Sequence, residues 1–261
     1  MSQPKALVLR SAGTNCEDET GRALTLAGAR TDILHFRRLV ADPGRLADYR
    51  IVVVPGGFSF GDDIAAGRVW GAELRAHLAR EMRAFVAGGG LVLGVCNGFQ
   101  VLLEAGLFEP DRRPEERSIA LYENASNHYE CRWIHLETQD TVCPWLVPGE
   151  RFPVPVAHAE GRFVVRDDST LKRLIEGRQV ALTYVNEDGS PPEYPADPNG
   201  SVHHIAGICD PTGRVLGLMP HPERNISPLN HPQWTRLPKR EEGEGLAFYR
   251  RMVETATAAP V

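Results

Sequence analysis

Along the first half of the chain, short continuous apolar runs alternate with segments whose apolar residues recur every three or four positions. KALVLR (5–10), TDILHF (31–36), IVVV (51–54) and LVLGV (91–95) are of the first kind and predict buried strands. Between them lie helical patterns. The segment after Arg10 offers Thr14 or Asn15 as an N-cap, puts Glu17, Asp18 and Glu19 in a first turn that the helix dipole favours, and reaches a stop at Gly28. LRAHLAREMRAFVA (74–87) has a helical apolar spacing ended by Gly88-Gly89-Gly90, and Asn97 to Ala105 predicts a further helix closed by Gly106. Strands alternating with helices at this spacing predict an α/β fold: a mostly parallel central sheet flanked by helices, with ligands at the carboxyl ends of strands. Cys96 and Gly56-Gly57 both fall at such ends.

The second half has a different rhythm. SIALYENAS, ECRWIHLET, FPVPVAHAEGRFVV and QVALTYV read as extended segments joined by turns. IAGICDPTGRVLGLM (205–219) is two apolar runs around Asp210-Pro211-Thr212-Gly213, a hairpin pattern. Residues 187–202 are rich in Pro, Gly and Asp and predict a long ordered loop. EGEGLAFYRRMVETA (242–256) closes the pattern as an amphipathic helix. No repeat or low-complexity linker interrupts it, so residues 1–261 read as a single domain.

Composition narrows the class. A chain of 261 residues with 42% hydrophobic content can bury a large core. The net charge of −5 argues against nucleic acid or an acidic membrane as a main partner, and no apolar run reaches the length of a membrane helix. There is no signal-peptide pattern at the start. Five scattered cysteines without a CxxC pair suit free thiols in a reducing cytoplasm, not a disulfide framework or a structural zinc site.

Three short segments carry candidate chemistry. Gly94-Val95-Cys96-Asn97-Gly98 has the form G-x-C-x-G between a strand and a helix, the thiol counterpart of a nucleophile elbow. The helix start puts positive partial charge near the sulfur. The alternative is a buried cysteine used as a small apolar residue. A nucleophile needs an oriented base. Two H-x-E pairs compete for that role, His158/Glu160 and His221/Glu223; the second follows the apolar run RVLGLM, and an extended backbone would place both its side chains on one side. Pro55-Gly56-Gly57 is either a tight turn or a donor of backbone N–H groups to an oxyanion, with the N–H of Asn97 as a second donor. Together these parts describe a cysteine hydrolase acting on an amide. No Walker-type or dinucleotide-binding glycine pattern accompanies them.

The motifs resemble those of class I, triad-type glutamine amidotransferases. Gly13-Thr14-Asn15-Cys16, PGGFSFGDD (55–63), GVCNGFQVLLEAGL (94–107), HAEGRF (158–163), YPADPNGS (194–201), IAGI (205–208) and GRVLGLMPHPER (213–224) are similar to the glutaminase subunits of phosphoribosylformylglycinamidine synthase, the PurQ family, from about residue 5 to residue 255. The resemblance implies a flavodoxin-like fold and hydrolysis of L-glutamine to glutamate and ammonia. It implies delivery of ammonia to a large PurL-type synthetase subunit, with a small PurS-type subunit in the complex. That synthetase uses ATP and Mg to turn formylglycinamide ribonucleotide into formylglycinamidine ribonucleotide in purine synthesis; no cofactor or metal is expected on this chain. Carried over by position, Cys96 is the nucleophile, His221 the base and Glu223 its orienting partner. Gly57 and Asn97 are the oxyanion donors, and Gln100, at i+4 from Cys96, is a substrate contact. In the family, the stretch corresponding to NASNHYE (124–130) lies against bound glutamine, which makes Asn124, Ser126 and Tyr129 candidate contacts. Here His128 and Tyr129 stand where the family commonly has Arg and Phe, so a fixed positive charge is missing. Cys16 is read as structural, and His203-His204, if on a strand, would face opposite ways and not share a metal.

Overall fold

The computed structural model describes residues 3–258. Strands β1 (Lys5–Arg10), β2 (Arg30–His35), β3 (Ile51–Val54), β4 (Leu91–Val95) and β11 (Val215–Leu218) form a parallel half-sheet in the order β2-β1-β3-β4-β11. β10 (Ile205–Cys209), β9 (Val180–Val185), β6 (Glu130–Thr138) and β7 (Arg151–His158) extend it by successive antiparallel pairings to nine strands. Only β10 and β6 run against the rest, so the sheet is mixed and mostly parallel. Two short strands, β5 (Ile119–Tyr122) and β8 (Arg162–Val165), pair in a ribbon of their own.

The apolar runs became central strands because both faces are covered. Every residue of β3, β4 and β11 is buried. Helices α3 (Arg68–Ala87) and α4 (Asn97–Glu104) pack on each other, while α1 (Glu17–Leu26) packs with α6 (Glu244–Ala258). β1 leads outward to β2 and β3 leads the other way to β4, so the chain reverses between β1 and β3. Such a switch point opens a crevice at the carboxyl ends of the strands. Phe99 of α4 ties the layers together, edge-on to Phe108 with centroids 5.3 Å apart and stacked on Phe163 of β8 at 6.5 Å.

Several local expectations change. The first helix is capped at Cys16 without a side-chain bond, because the hydroxyl of Thr14 donates to the Ser11 carbonyl and Thr14 itself bridges to Gly57. The third helix begins at Arg68, not at Leu74, since Trp70 and Gly71 are buried in its first turn. Two helices carry no expectation from the apolar pattern: α2 (Phe36–Ala41) and α5 (Asp168–Glu176), the latter capped by Asp167 accepting from the Thr170 N–H at 2.8 Å. His203 and His204 are not strand residues. They sit in a 3-10 turn, both at positive φ, and His204 Nδ1 lies 2.7 Å from Asp197.

Candidate active site

The pairing of β4 with β11 sets the geometry. Val95 lies opposite Leu218, and the Cys96 N–H donates to the Leu218 carbonyl at 2.8 Å, so Cys96 and the segment leading to His221 leave the sheet at one level. Cys96 has φ 52° and ψ −111°, a conformation that a β-carbon disfavours and that the surrounding packing must impose. Gly98 is required by close approach: a Cβ there would stand 1.8 Å from the Val54 carbonyl oxygen. Gly57 has φ +144°, and a Cβ would press on the backbone of residues 13–15. At both positions only glycine lets β3, the loop after β1 and the elbow meet.

His221 and Glu223 form a buried pair. Nδ1 of His221 is 2.6 Å from Oε1 of Glu223, and both residues are almost wholly shielded from solvent. The segment is not extended, as the H-x-E spacing suggests; Pro222–Arg224 is a 3-10 turn that folds the carboxylate back onto the ring. Glu223 accepts, so Nδ1 carries the hydrogen and Nε2 is left as the acceptor. That Nε2 is buried without a hydrogen-bond partner. Burial alone would push the imidazole pKa down, but the charge of Glu223 and the Cys96 thiol outweigh it and hold it well above the usual value. A proton leaving Cys96 therefore has a favourable destination. Tyr249, from α6, places its hydroxyl 3.4 Å from the second oxygen of Glu223.

The opposite wall comes from β7. Its carbonyls at alternate positions face the site: Pro153 accepts from Asn225 Nδ2 at 2.8 Å, Pro155 accepts from the His221 N–H at 2.9 Å, and the Ala157 carbonyl lies 3.6 Å from Cys96 Sγ. Prolines at 153 and 155 suit this edge because they have no N–H to satisfy there. A cavity of about 40 Å³ remains between the walls, lined by Gly57, Phe58, Cys96, Gln100 and the segment 157–160.

Each expected site residue has a definite place. Gln100 faces the cavity with its amide engaged: Nε2 donates to the Glu160 carbonyl at 2.7 Å and Oε1 accepts from Asn97 Nδ2 at 3.0 Å. The Asn97 N–H opens α4, where no helical partner exists, and Gly57 lines the cavity. The Asn97 side chain, assigned no role by the sequence, is a hub: Oδ1 accepts from the Ser59 N–H at 3.2 Å and Nδ2 also reaches Asp62 at 3.2 Å. Asn124 is not free to contact a ligand through its side chain. Nδ2 donates to the carbonyls of His128 and His158, and Oδ1 accepts from His158 Nδ1 and the Gly161 N–H, which uses its full capacity. It clamps 124–130 to 158–161. Ser126 Oγ is taken by Glu130 at 2.6 Å. Tyr129 is half exposed and stacks on Phe58, a cavity residue, at 6.4 Å. His158, the rival base, is bound to Asn124 and not to Glu160; burial and the neighbouring His221 push its pKa down to about 3, so it stays neutral.

Sequence reasoning placed Cys16 in the fold only, yet it reaches the site. Cys16, His221 and Glu223 bring ligand atoms within 4.8 Å of one another, and Arg224 Nη2 donates to Cys16 Sγ at 3.1 Å while Nε holds Glu19 at 2.9 Å. Cys16 is fully buried, and burial pushes its thiol pKa up. It is tied to the triad turn through Arg224 and does not line the cavity.

Comparison with known proteins names the class to which this geometry belongs. The family model described as a CobB/CobQ-like glutamine amidotransferase domain matches residues 3–254. The phosphoribosylformylglycinamidine synthase subunit PurQ of Methanococcus maripaludis is 43% identical over 234 residues, 88% of this chain and 86% of that one. PurQ of Dehalococcoides mccartyi is 40% identical over 260 residues, 98% and 99% of the two chains. Among solved structures, a chain of PurLQS from Thermotoga maritima superposes with a TM-score of 0.72 at 30% identity, covering 97% of this chain and 99% of that one. A putative GMP synthase subunit from Thermoplasma acidophilum shares the fold at a TM-score of 0.58 and 13% identity. The elbow, the buried His-Glu pair and matches that run nearly end to end place the chain in the glutamine amidotransferase family, among the PurQ subunits of phosphoribosylformylglycinamidine synthase.

Proposed function

We propose that Cys96, His221 and Glu223 perform the glutaminase half-reaction of phosphoribosylformylglycinamidine synthase, with residues 1–261 working as one catalytic unit. The chain is the glutaminase subunit of that enzyme, in purine biosynthesis. The observation that carries the assignment of roles is the 2.6 Å His221–Glu223 bond, which leaves a buried, unpartnered Nε2 beside a cysteine held at positive φ. His221 takes the thiol proton, and the sulfur attacks the side-chain carboxamide carbon of glutamine. The N–H groups of Gly57 and Asn97 stabilise the oxyanion. The imidazolium then protonates the departing ammonia, leaving a γ-glutamyl thioester on Cys96. Water, deprotonated by His221, releases glutamate.

The ammonia passes to a PurL-type synthetase, with a PurS-type subunit in the complex and ATP and Mg on the synthetase. The PurLQS assembly of T. maritima supports that partnership. Among the described residues no helix is long and apolar enough to cross a membrane, which supports a cytoplasmic location. Replacing Cys96 with Ala abolishes glutamine-dependent synthesis by the reconstituted complex while ammonia-dependent synthesis continues. Glutaminase activity that survives Cys96→Ala contradicts the assignment.

A further inference from the structure

The N–H assigned to the oxyanion belongs to Gly57, and the segment that carries it is held from outside the cavity. Residues 12–16, between β1 and α1, run antiparallel to residues 56–60. The Asn15 N–H donates to the Gly56 carbonyl at 3.4 Å, the Phe58 N–H to the Gly13 carbonyl at 2.9 Å and the Phe60 N–H to the Ala12 carbonyl at 2.8 Å. The Cys16 N–H gives the Gly56 carbonyl a second donor at 3.3 Å. Thr14 and Gly57 therefore face each other as a pair with no hydrogen bond between them. In antiparallel pairing, the N–H and C=O of such a residue point away from the partner segment.

The peptide plane leads to the same direction. The Gly56–Gly57 bond is trans, so its C=O and N–H point opposite ways. With the carbonyl pinned to residues 15 and 16, the Gly57 N–H is turned away from them. It has no acceptor among the described residues, and Gly57 lines the cavity that holds Cys96. Gly13, Asn15 and Cys16 do not line it. Their segment is anchored in turn on the triad turn. Cys16 Sγ donates to Asn15 Oδ1 at 3.1 Å and accepts from Arg224 Nη2 at 3.1 Å, while Arg224 Nε reaches Glu19 of α1 at 2.9 Å. Gly56 is packed against both sides of this junction: a Cβ there would stand 2.8 Å from His221 Cε1 and 3.1 Å from Cys16 Sγ. The oxyanion peptide, the second thiol and the catalytic imidazole fill one tight space.

We propose that residues 13–16 are a positioning segment that turns the Gly57 N–H toward the cavity, and that Arg224 anchors it through Cys16. The oxyanion donor and the His221–Glu223 pair are then held to one another by the Cys16–Arg224 contact. The inference rests on Cys96 being the nucleophile and on Gly57 being an oxyanion donor. It gives Cys16 a task suited to its burial off the cavity: a link between two parts of the machinery, touching no substrate. The device acts on the transition state, because the donor meets full charge only when the carboxamide oxygen becomes an oxyanion.

The test compares two reactions of Cys96 in the assembled synthase. Glutamine hydrolysis passes through an oxyanion. Alkylation by iodoacetamide forms the S–C bond as iodide leaves and passes through none. Gly13→Ala puts a Cβ 2.0 Å from the Phe58 carbonyl oxygen and so displaces the 56–60 segment without touching the triad. Glutamine kcat is expected to fall about 10²-fold with KM within about twofold, as on loss of one oxyanion donor. The alkylation rate of Cys96, mapped by peptide mass spectrometry, is expected to stay within about twofold. Arg224→Gln is expected to lower kcat about tenfold with the same split, and Arg224→Lys to recover part of the loss. Equal losses in hydrolysis and alkylation, or an unchanged kcat in the folded variants, overturn the proposal. If Gly13→Ala does not fold, the two Arg224 variants decide. Wild-type synthase that hydrolyses glutamine normally after Cys96 is alkylated refutes the nucleophile assignment itself, a separate failure that no comparison of variants can produce.

Discussion

The two halves of the sheet build one site by different means. The parallel half supplies the reacting groups through backbone geometry: the elbow after β4, the Gly57 turn after β3 and the His221 segment after β11 all emerge from adjacent strand ends. Tolerances there are steric and severe. The antiparallel half supplies a wall through polar clamps. β7 presents carbonyls to Asn225, His221 and Cys96, and Asn124 fastens 124–130 to 158–161 with three side-chain hydrogen bonds and closes its own loop with a fourth, to the His128 carbonyl. One half fixes where chemistry happens; the other fixes what can reach it. A substitution in the first should therefore destroy turnover or folding outright. One in the second should be graded.

The largest effect separating the halves is expected at Glu223. Glu223→Gln keeps the shape but loses the carboxylate that fixes the His221 tautomer and favours the imidazolium. Glutaminase kcat should fall about 10⁴-fold, as when an orienting carboxylate is lost from a comparable triad. A loss below about tenfold would mean that the packing around the buried ring orients it without the carboxylate.

Next comes the elbow. Gly98→Ala forces a Cβ onto the Val54 carbonyl, and neither backbone can yield without disturbing β3 or β4. Thermal unfolding should register a loss of about 3 kcal/mol, or about 6–12 °C in Tm for a chain of this size. An unchanged Tm would show that the strand-to-helix junction is looser than its packing implies.

The smallest effect belongs to the clamp. Asn124→Ala leaves the His158 Nδ1–H and the Gly161 N–H without their acceptor. The expected cost is about 1–3 kcal/mol in chemical denaturation, with a rise in the KM for glutamine as the wall loosens. Should stability fall by more than the Gly98→Ala variant loses, the ranking of the two halves is reversed.

The same division explains what the sequence reveals. The parallel half is legible because its signals are local: β-branched runs, glycine punctuation and a cysteine flanked by glycines. The antiparallel half depends on pairings between distant residues. Nothing near Asn124 announces that its amide is saturated by residues 128, 158 and 161. Ser126 likewise turns toward Glu130. His221 and Glu223 are found by spacing, but for a different reason than an extended backbone, since a 3-10 turn brings them together. The helix α5 had a readable signal in Asp167, whose side chain caps it, followed by Leu171 and Leu174 at helical spacing. Cys16 escaped because its neighbours His221 and Arg224 lie some two hundred positions away.

Cys16 also gives the most direct test, because two thiols flank one histidine and only one can be the nucleophile. Cys96 lines the cavity; Cys16, also close to His221, is fully buried off the cavity with burial raising its thiol pKa. The decisive measurement is peptide mass spectrometry of the synthase treated with a glutamine-shaped diazoketone, with and without competing glutamine. The adduct is expected on Cys96 alone, suppressed by glutamine and accompanied by loss of glutaminase activity. An adduct on Cys16, or inactivation with Cys96 unmodified, would contradict the account.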